Sequence, residues 1–379
     1  MRVLLFPGHF VQYTIELANG LVEAGAEVGL AVWPGSGDKL VGENWRELMD
    51  ERVQLLAMPG APVRKPWTRS YLRNRAWLRR TFRGFAPDVI HVQDGNDLAT
   101  LLAVWGTKIP VTVTIHDVAA HPGDEKSMSW RMNLLINKIL MPRARRRNAQ
   151  FVLHGESLRR DFLRDWQAPE ERVHVVPHGI LAGFVSPGES LEGTGVGDPP
   201  GPALFFGRMM PYKGLDVFAN ALPQVVEALP EARFLIAGRG PSLDQVRDQL
   251  AAFPQVEIRD EYIPSAEVAE LYRQASVNLA PYVEASQSGV IAAGYAFGVP
   301  AIASRVGALP EVVVDEENGL LIDPGEPTQL AQALIRYLGD AALRARLQDG
   351  VRKWASGPLS WQNVAQKTLE VYAQACRKA

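Results

Sequence analysis

Short apolar runs alternate with helix-spaced apolar positions along the first part of the chain. The run Arg2–Phe6 ends at Pro7-Gly8 and predicts a buried strand, whereas Thr14–Gly25 has helical spacing and ends at a glycine. The next apolar run, Glu27–Gly35, predicts a second strand. Strand, helix and strand in close succession predict a parallel βαβ unit. Further strands are predicted at Asp88–Gln93, Val111–Asp117, Ala149–Gly155 and Arg172–Ile180.

The same rhythm restarts in the second half, after a change of composition. Ser186–Pro202 is rich in glycine and proline and has no apolar periodicity, which predicts a linker or a flexible loop. Beyond it, strands are predicted in the runs ALFFG, ARFLIAG, VEIRD, VNLAPY and PAIAS, with helical stretches such as SLDQVRDQLAAF between them. The pattern predicts an α/β protein of two doubly wound domains in series, with a cleft between them. Ser360–Ala379 predicts a terminal helix that Ser360 can cap.

Composition adds limits to this picture. A chain of 379 residues exceeds one ordinary domain, and 47% hydrophobic and 22% charged residues are typical of a globular enzyme. The formal net charge of −2 gives no reason to expect a nucleic-acid partner. The single cysteine, Cys376, excludes a disulfide within the chain. Without a signal-peptide pattern or a run near the ~18 apolar residues that span a bilayer, the expected location is the cytoplasm.

The stretch FFGRMMPYKGLDVFANAL, Phe205–Leu222, carries the first candidate chemistry. A strand ends at a glycine, Arg208 and Lys213 follow, and a helix begins near Gly214-Leu215. Two cations beside a helix N-terminus are suited to a diphosphate, although two solvated surface charges are the alternative. The stretch is not a P-loop, and GRGPSLDQV and FPGHF match the dinucleotide-binding fingerprint poorly. A nicotinamide-dependent dehydrogenase is therefore disfavoured.

Several motifs in one order give a more specific indication. FFGRMMPYKGLDVFANAL, FLIAGRGP, APYVEASQSGVIAAGYAFGVPAIASRVGALPEVV and NGLLIDP follow VTVTIHD and VVPHGI, and SWQNVAQKTLEVY ends the chain. Together they resemble the retaining glycosyltransferases of family 4 over nearly the whole sequence. The resemblance implies a GT-B fold: a Rossmann-like acceptor-side domain at 1–182, a linker at 183–201, and a Rossmann-like nucleotide-sugar domain at 202–357. The terminal helix, 358–379, is expected to pack back onto the first domain.

The resemblance also implies roles for individual residues. Arg208 and Lys213 match the pair that contacts the donor diphosphate, and His116 matches the histidine that faces the donor sugar. A core histidine is the alternative for His116, and Asp117 can orient it or cap the following segment. Glu284 is kept as the carboxylate on the sugar side. The expected catalytic residues are His116, Glu284, Arg208 and Lys213. The expected donor-binding residues are Gly8, Gly207, Arg208, Lys213, Gly238, Tyr262, Ile263, Glu284, Ser286, Ser288, Gly289 and Val290. The expected acceptor-binding residues are His9, Gln12, Tyr13, Asp94 and His116.

The chain departs from the family pattern at two places. A second glutamate, which in the family contacts the ribose, is replaced by alanine at Ala292 or Ala293. His9 stands where a second glycine is common. Ser286, Ser288 and Gly289 are then candidate phosphate or sugar contacts, or a helix cap only. Tyr262 is expected beside the base, or as a rim or core aromatic.

The implied reaction moves a sugar from a nucleoside-diphosphate sugar to a hydroxyl, with retention and without a metal or another cofactor. Polysaccharide or glycoconjugate synthesis is the expected setting. Negative charge develops on the leaving diphosphate, so fixed cations there act on the transition state. The alternatives are a non-catalytic GT-B subunit that binds sugar nucleotides, and a sugar-nucleotide epimerase. Donor transfer or hydrolysis separates the enzyme from the binding subunit.

A basic segment bears on the acceptor. Arg64–Phe85 holds eight basic and no acidic residues, with interleaved aromatics, and Arg143–Arg147 adds four more arginines. Such a helix can lie on an anionic lipid surface, which would place the protein at the inner face of the membrane and favour a lipid-linked acceptor. A solvated basic helix, or one that binds an anionic acceptor directly, is the alternative.

Overall fold

The computed structural model describes residues 1–62, 68–93, 98–118, 149–184 and 195–377. Within these residues the chain forms two compact units. Unit one contains the described residues up to Gly179 and those from Leu359 onward, and unit two contains those of Ile180–Pro358. Asp94, residues 64–67 of the basic segment and Arg143–Arg147 lie outside the described residues.

Unit one is built on a parallel sheet that, in the described part of the chain, has seven strands in the order β3-β2-β1-β4-β5-β6-β7. The strands are β1 Arg2–Phe6, β2 Glu27–Val32, β3 Gln54–Ala57, β4 Val89–Gln93, β5 Val111–Thr114, β6 Gln150–Leu153 and β7 Val173–Val175. The helices are α1 Val11–Glu23, α2 Pro34–Leu40, α3 Arg69–Phe85, α4 Leu98–Val104 and α5 Glu156–Trp166, with 3-10 turns at Trp45–Leu48 and Glu170–Arg172.

Unit two contains a second parallel sheet, with six described strands in the order β10-β9-β8-β11-β12-β13. The strands are β8 Ala203–Phe206, β9 Phe234–Ala237, β10 Val256–Arg259, β11 Val277–Ala280, β12 Ala301–Ser304 and β13 Gly319–Ile322. The helices are α6 Leu215–Ala228, α7 Pro241–Ala251, α8 Ser265–Gln274, α9 Gly289–Ala296, α10 Leu309–Val312, α11 Pro327–Gly339 and α12 Ala341–Ser356, with a 3-10 turn at Pro211–Lys213.

The predicted strands are confirmed where the apolar runs are continuous. A strand covered by helices on both faces has no solvent side, so consecutive residues of β1 and β9 are buried and the sequence does not alternate. The predicted two-domain α/β class is therefore correct. Strands β3 and β13, which lie at the edges of their sheets, were not among the predicted strands. Edge strands are less covered, and β3 is exposed at both ends, so it lacks the apolar run that marks the central strands.

The chain returns to unit one in its last helix, α13, Trp361–Arg377. The predicted cap is confirmed, because the hydroxyl of Ser360 accepts a hydrogen bond from the Asn363 amide at 3.2 Å. The helix packs against α1 and across β4, β5 and β6. Gly20 of α1 permits this approach, since a Cβ there would lie 2.7 Å from the Trp361 carbonyl oxygen.

This close approach predicts opposite effects at two helical glycines. Gly20→Ala should destabilise the protein by about 1–3 kcal/mol, because the new methyl meets backbone that cannot move aside. Gly84→Ala in α3 is the matched control, since its Cβ would have no neighbour within 4 Å. The control should gain about 0.5–1 kcal/mol from helix propensity alone. Urea unfolding of both variants checks this, and equal stabilities would contradict the packing of α13 on α1.

Candidate functional site

The candidate site of unit two lies where the strand order changes direction. The chain leaves β8 toward β9 on one side, and β11 continues toward β12 on the other, so the loops after β8 and β11 meet at the carboxyl edge of the sheet. The amide of Val283 donates to the Tyr212 carbonyl at 2.8 Å, and a Cβ on Gly214 would lie 2.0 Å from the Pro281 carbonyl oxygen. The predicted segments 207–213 and 284–290 are therefore brought together.

Lys213 lies beneath this junction and is only 5% exposed. Its ammonium donates to the Phe206 carbonyl oxygen at 3.1 Å and lies 5.4 Å from the centre of the Tyr282 ring. Gly207 makes room for it, since a Cβ there would lie 2.7 Å from Lys213 Nζ and 3.6 Å from a methyl of Val290. The ammonium and the first turn of α9 therefore border the same small space.

At two of the predicted donor-binding glycines, the backbone conformation and the neighbouring atoms leave no space for a side chain. Gly207 and Gly238 both have positive φ, +107° and +135°. A Cβ on Gly238 would lie 2.0 Å from the Gly207 carbonyl oxygen, so any side chain there would displace the Gly207 backbone. Because Gly207 in turn borders Lys213, both glycines shape the space that the Lys213 ammonium occupies.

The charges in this site are not balanced within the described residues. Neither Lys213 nor Arg208 forms an ion pair there, and Arg208 is exposed. Burial lowers the pKa of Lys213 from 10.5 to about 8, and the charge of Arg208 lowers it as well. A buried cation without a counterion is costly, so this arrangement favours an anion.

The first turn of α9 adds to the attraction. Ser288 caps the helix by accepting a hydrogen bond from the Ile291 amide at 3.2 Å. The amides of Gly289 and Val290 come too early in the helix to have intrahelical acceptors, so they remain available to a ligand. A helix N-terminus beside an ammonium is suited to phosphate oxygens. The sequence analysis named the starts of both α6 and α9 as candidates for this role, and Val290 of α9 borders the space at Lys213.

The remaining predicted residues of unit two differ in what they can offer. Glu284 is exposed, whereas Ser286 is buried and its carbonyl oxygen accepts the Ala308 amide at 3.0 Å. Tyr262 is 62% exposed and can meet a planar ligand, whereas the side chain of Ile263 belongs to the hydrophobic core. Ile263 can therefore contribute only backbone groups to a site.

Unit one has its own change of strand order, between β1 and β4. The loop after β1 contains Gly8, with a φ of +56°, and the exposed His9. Gln12 and Tyr13 follow in the first turn of α1, half-buried and buried respectively. The predicted Asp94 lies outside the described residues, so its place in this group stays a prediction.

His116, just after β5, lies in a cluster of aromatic and imidazole rings. It is fully buried, and its ring stacks on that of Phe10 with centres 3.5 Å apart and planes 10° apart. Its Nε2–H donates to the Oε1 atom of Gln93 at 2.9 Å. The ring of Tyr13 lies 5.1 Å from it, edge to face. Asp117, the next residue, is half-buried.

The cluster contains two histidines that the sequence analysis did not single out. The ring centres of His154 and His178 lie 4.9 and 6.4 Å from that of His116. They follow β6 and β7, the two strands beyond β5, so all three histidines lie at one edge of the sheet. Their position at the ends of two predicted strands was a signal in the sequence.

Burial keeps these imidazoles neutral. It lowers the pKa of His154 to about 3 and that of His178 to about 4, and it lowers the pKa of His116 well below 6.5. His91 on β4, bonded to the Tyr372 hydroxyl and to Thr114, also has a pKa lowered by burial to about 3. The cluster can therefore donate and accept hydrogen bonds at neutral pH, but it carries no charge.

Two further kinds of site are absent from the described ranges. These residues contain no group of three His, Cys, Asp or Glu side chains arranged to hold a metal ion. None of the helices formed by them combines the length and the apolar character needed to cross a bilayer.

Both halves of the chain match models of known protein families. Residues 10–179 match the glycosyl transferase 4-like domain, and residues 202–340 match the glycosyl transferases group 1. A D-inositol 3-phosphate glycosyltransferase of Xylanimonas cellulosilytica is 35% identical over 58% of this chain and 55% of its own length. A phosphatidyl-myo-inositol mannosyltransferase of Mycobacterium leprae is 28% identical over 75% of this chain and 73% of its own length. The chain spans about half the length of several curated relatives that it matches.

Solved structures share the fold at low sequence identity. A sucrose-phosphate synthase from Thermosynechococcus elongatus has a TM-score of 0.72 and 19% identity, with both chains covered completely. The Anabaena protein HepE in complex with UDP-glucose has a TM-score of 0.70 and 16% identity, over 99% of this chain and 100% of that one. These similarities show the GT-B fold that was expected from the motifs.

The buried histidines predict a loss of stability in mild acid. In the unfolded chain each imidazole takes up a proton near pH 6.5, whereas in the folded chain the pKa values lie at about 3 to 4. The unfolded state therefore binds more protons below pH 6.5, and the free energy of unfolding should fall as the pH falls from 6.5 to 5. The slope can reach about 1.4 kcal/mol per pH unit for each histidine.

Urea unfolding at pH 7, 6 and 5 measures this slope, and His178→Gln should reduce it by up to one histidine's share. The window excludes most of the carboxylate contribution, because carboxyl groups of an unfolded chain titrate near pH 4. A free energy of unfolding that stays constant between pH 7 and 5 would contradict the neutral, buried cluster.

Proposed function

Because the chain belongs to the glycosyl transferases of group 1, with a glycosyl transferase 4-like domain in its first half, we propose that it transfers a sugar from a nucleoside-diphosphate sugar to a hydroxyl acceptor. One observation carries this proposal: the buried ammonium of Lys213, beside the first turn of α9 and without an ion pair in the described residues. This combination is suited to a ligand with more than one negative charge. UDP, present in the complexes of the HepE protein, is our candidate donor nucleotide.

The proposed mechanism retains the configuration of the sugar and uses no metal. The bond between the anomeric carbon and the donor phosphate breaks while the acceptor oxygen bonds to the same face of that carbon. The departing phosphate oxygen takes the acceptor proton. Lys213, Arg208 and the amides of Gly289 and Val290 stabilise the charge that develops on the diphosphate. Any role of His116 toward the sugar is that of an uncharged group, since burial lowers the pKa of its ring well below 6.5.

A binding subunit without transferase activity is the second candidate function. Ala292 and Ala293 are 5% and 1% exposed, so the inner side of α9 carries no carboxylate at the position where one was expected. A chain that holds the diphosphate but orients the rest of the donor poorly would bind without turnover. Consumption of UDP-sugars, GDP-sugars and ADP-sugars in the presence of hydroxyl acceptors distinguishes the two, because the binding subunit would stabilise with nucleotide and consume none of them.

The proposed donor site predicts how UDP binding responds to Lys213. UDP should raise the unfolding temperature of the starting protein, and Lys213→Met should weaken UDP binding by about 10- to 100-fold, since it removes a charge-assisted contact. Without ligand, Lys213→Met should be at least as stable as the starting protein, because an unpaired buried charge has been removed. Arg208→Ala should weaken binding less, since that side chain is exposed.

The control is Lys353→Met in α12, an exposed lysine whose loss should leave UDP binding unchanged. The affinity of the starting protein should also fall as the pH rises through about 8, because UDP selects the protonated form of Lys213. Lys213→Met should lack this dependence. Undiminished UDP binding by Lys213→Met would exclude the proposed donor site.

We also propose that α3 contacts an anionic membrane, which would bring a lipid-linked acceptor within reach. Arg69, Arg75, Arg79, Arg80 and Arg83 are exposed and form no ion pair with described residues. Leu72 is 58% exposed on the same helix, and the helix contains no acidic residue. Unpaired arginines and an exposed leucine are complementary to anionic headgroups and the acyl boundary below them. The name of the mannosyltransferase relative refers to a phosphatidyl-inositol acceptor, which supports this choice.

The membrane proposal predicts that reversing two charges weakens vesicle binding. Arg75→Glu with Arg79→Glu should lower binding to phosphatidylglycerol-containing vesicles by about tenfold or more, at about 1 kcal/mol for each charge near the surface. Lys353→Glu with Lys367→Glu changes the net charge equally on other helices and should leave binding nearly intact. Arg73 is not used, because it donates to the Pro59 carbonyl and holds a loop. If the starting protein ignores anionic vesicles, the membrane role is wrong.

A further inference from the structure

The ring cluster of unit one contains two imidazole nitrogens that lack a hydrogen. His154 donates its Nδ1–H to the Val176 carbonyl oxygen at 3.0 Å, which leaves a lone pair on Nε2. His178 donates its Nδ1–H to the Gly179 carbonyl oxygen at 2.7 Å, with the same result. The backbone therefore fixes both tautomers and turns both rings into acceptors at neutral pH.

Neither lone pair is used by the described residues. Nε2 of His154 is buried without a hydrogen-bond partner among them, and the residue is only 3% exposed. Nε2 of His178 likewise makes no hydrogen bond with the described residues. Burying an acceptor without a donor costs free energy, so a native structure normally supplies one from the protein, from water or from a ligand.

Tyr13 adds a third polar atom to the same place. Its ring lies 5.3 Å from that of His154 and 5.0 Å from that of His178, and the two imidazole rings are 5.0 Å apart. The hydroxyl of Tyr13 forms no hydrogen bond with the described residues. Two acceptors and one hydroxyl are thus gathered among three buried side chains.

The chemistry of these atoms selects among ligands. An anion would face two lone pairs, and neither histidine bonds to a carboxylate of the described residues that could offset the charge of a buried cation, because each donates to a backbone carbonyl. The described residues hold no metal-binding triad. Neutral hydroxyl groups match all three atoms, because a hydroxyl donates to an imidazole nitrogen and can accept from, or donate to, a phenol.

We propose that His154, His178 and Tyr13 form a subsite for a neutral polyhydroxyl group, the part of a sugar or polyol acceptor that orients it in unit one. This inference rests on the proposed function and extends it by naming what the acceptor presents to this cluster. The histidines hold the hydroxyl groups in place, and the proton of the reacting hydroxyl goes to the donor phosphate. Phe10 and His116, stacked face to face beside them, form one wall of the subsite.

Nitrogen-15 NMR of the full chain, labelled at histidine, tests the subsite directly. Titration with myo-inositol should shift the His154 and His178 ring signals, whereas 1,4-dioxane, which has no hydroxyl, should not. His154→Phe keeps a ring but removes the lone pair and should weaken myo-inositol binding by about tenfold, the equivalent of one hydrogen bond. His154→Gln, whose amide can replace the acceptor, should recover most of the affinity. His174→Gln, on β7 and bonded to Gln150, is the control and should bind normally.

UDP binding to each variant separates the two proposals. If UDP binds and myo-inositol leaves both ring signals unmoved, or moves them no more than dioxane, the subsite is wrong and the donor site stands. If myo-inositol shifts the signals and UDP does not bind, the proposed function fails and the polyol subsite remains. Equal myo-inositol affinity in His154→Phe and the starting protein would overturn the role of His154. Should His154→Phe not fold, the titration of the starting protein and of His178→Gln still decides.

Discussion

The buried ammonium of Lys213 is the interaction on which the candidate site of unit two depends. It lies under glycine backbone with one carbonyl as its acceptor, and no described carboxylate balances it. Gly207 and Gly238 lack side chains because the ammonium and the backbone around it occupy that space. The start of α9 is capped by Ser288 and leaves its first amides unused on the same side. A buried charge without a counterion among the described residues carries an electrostatic cost that an anion would remove.

Unit one is organised by the opposite principle. Its edge of the sheet collects imidazoles that burial keeps neutral, and their backbone partners fix which nitrogen carries hydrogen. The aromatic rings of Phe10 and Tyr13 pack against them. A charged site suited to an anion and an uncharged, hydrogen-bonding site suited to hydroxyl groups are the two environments on which the proposed function rests. Each unit supplies one of them from side chains at the carboxyl ends of its parallel strands.

The sequence was sufficient for the fold class because of the way parallel sheets are covered. Strands such as β1 and β9 are buried on both faces and read as uninterrupted apolar runs, so their number and order along the chain were largely predictable. The edge strand β3 was missed because its ends are exposed to solvent, so it does not need an uninterrupted apolar run. Arg208 and Lys213 could be singled out because the sequence alone shows basic residues between a predicted strand end and a predicted helix start. The sequence did not show that the side chain of Tyr262 is exposed and that of Ile263 buried, since the direction of each side chain depends on the local backbone.

The sequence by itself was enough to predict two α/β domains, the cap of the last helix at Ser360 and the cations of the candidate donor site. These features follow from local periodicity, turn residues and charge, and each of them depends only on residues that are close together in the sequence. The tertiary structure decided the burial of Lys213, its position close to the first turn of α9, and the gathering of His116, His154 and His178. Those facts depend on the order of strands within each sheet. That order is set by the packing of segments distant in sequence, so it cannot be predicted from a local sequence pattern.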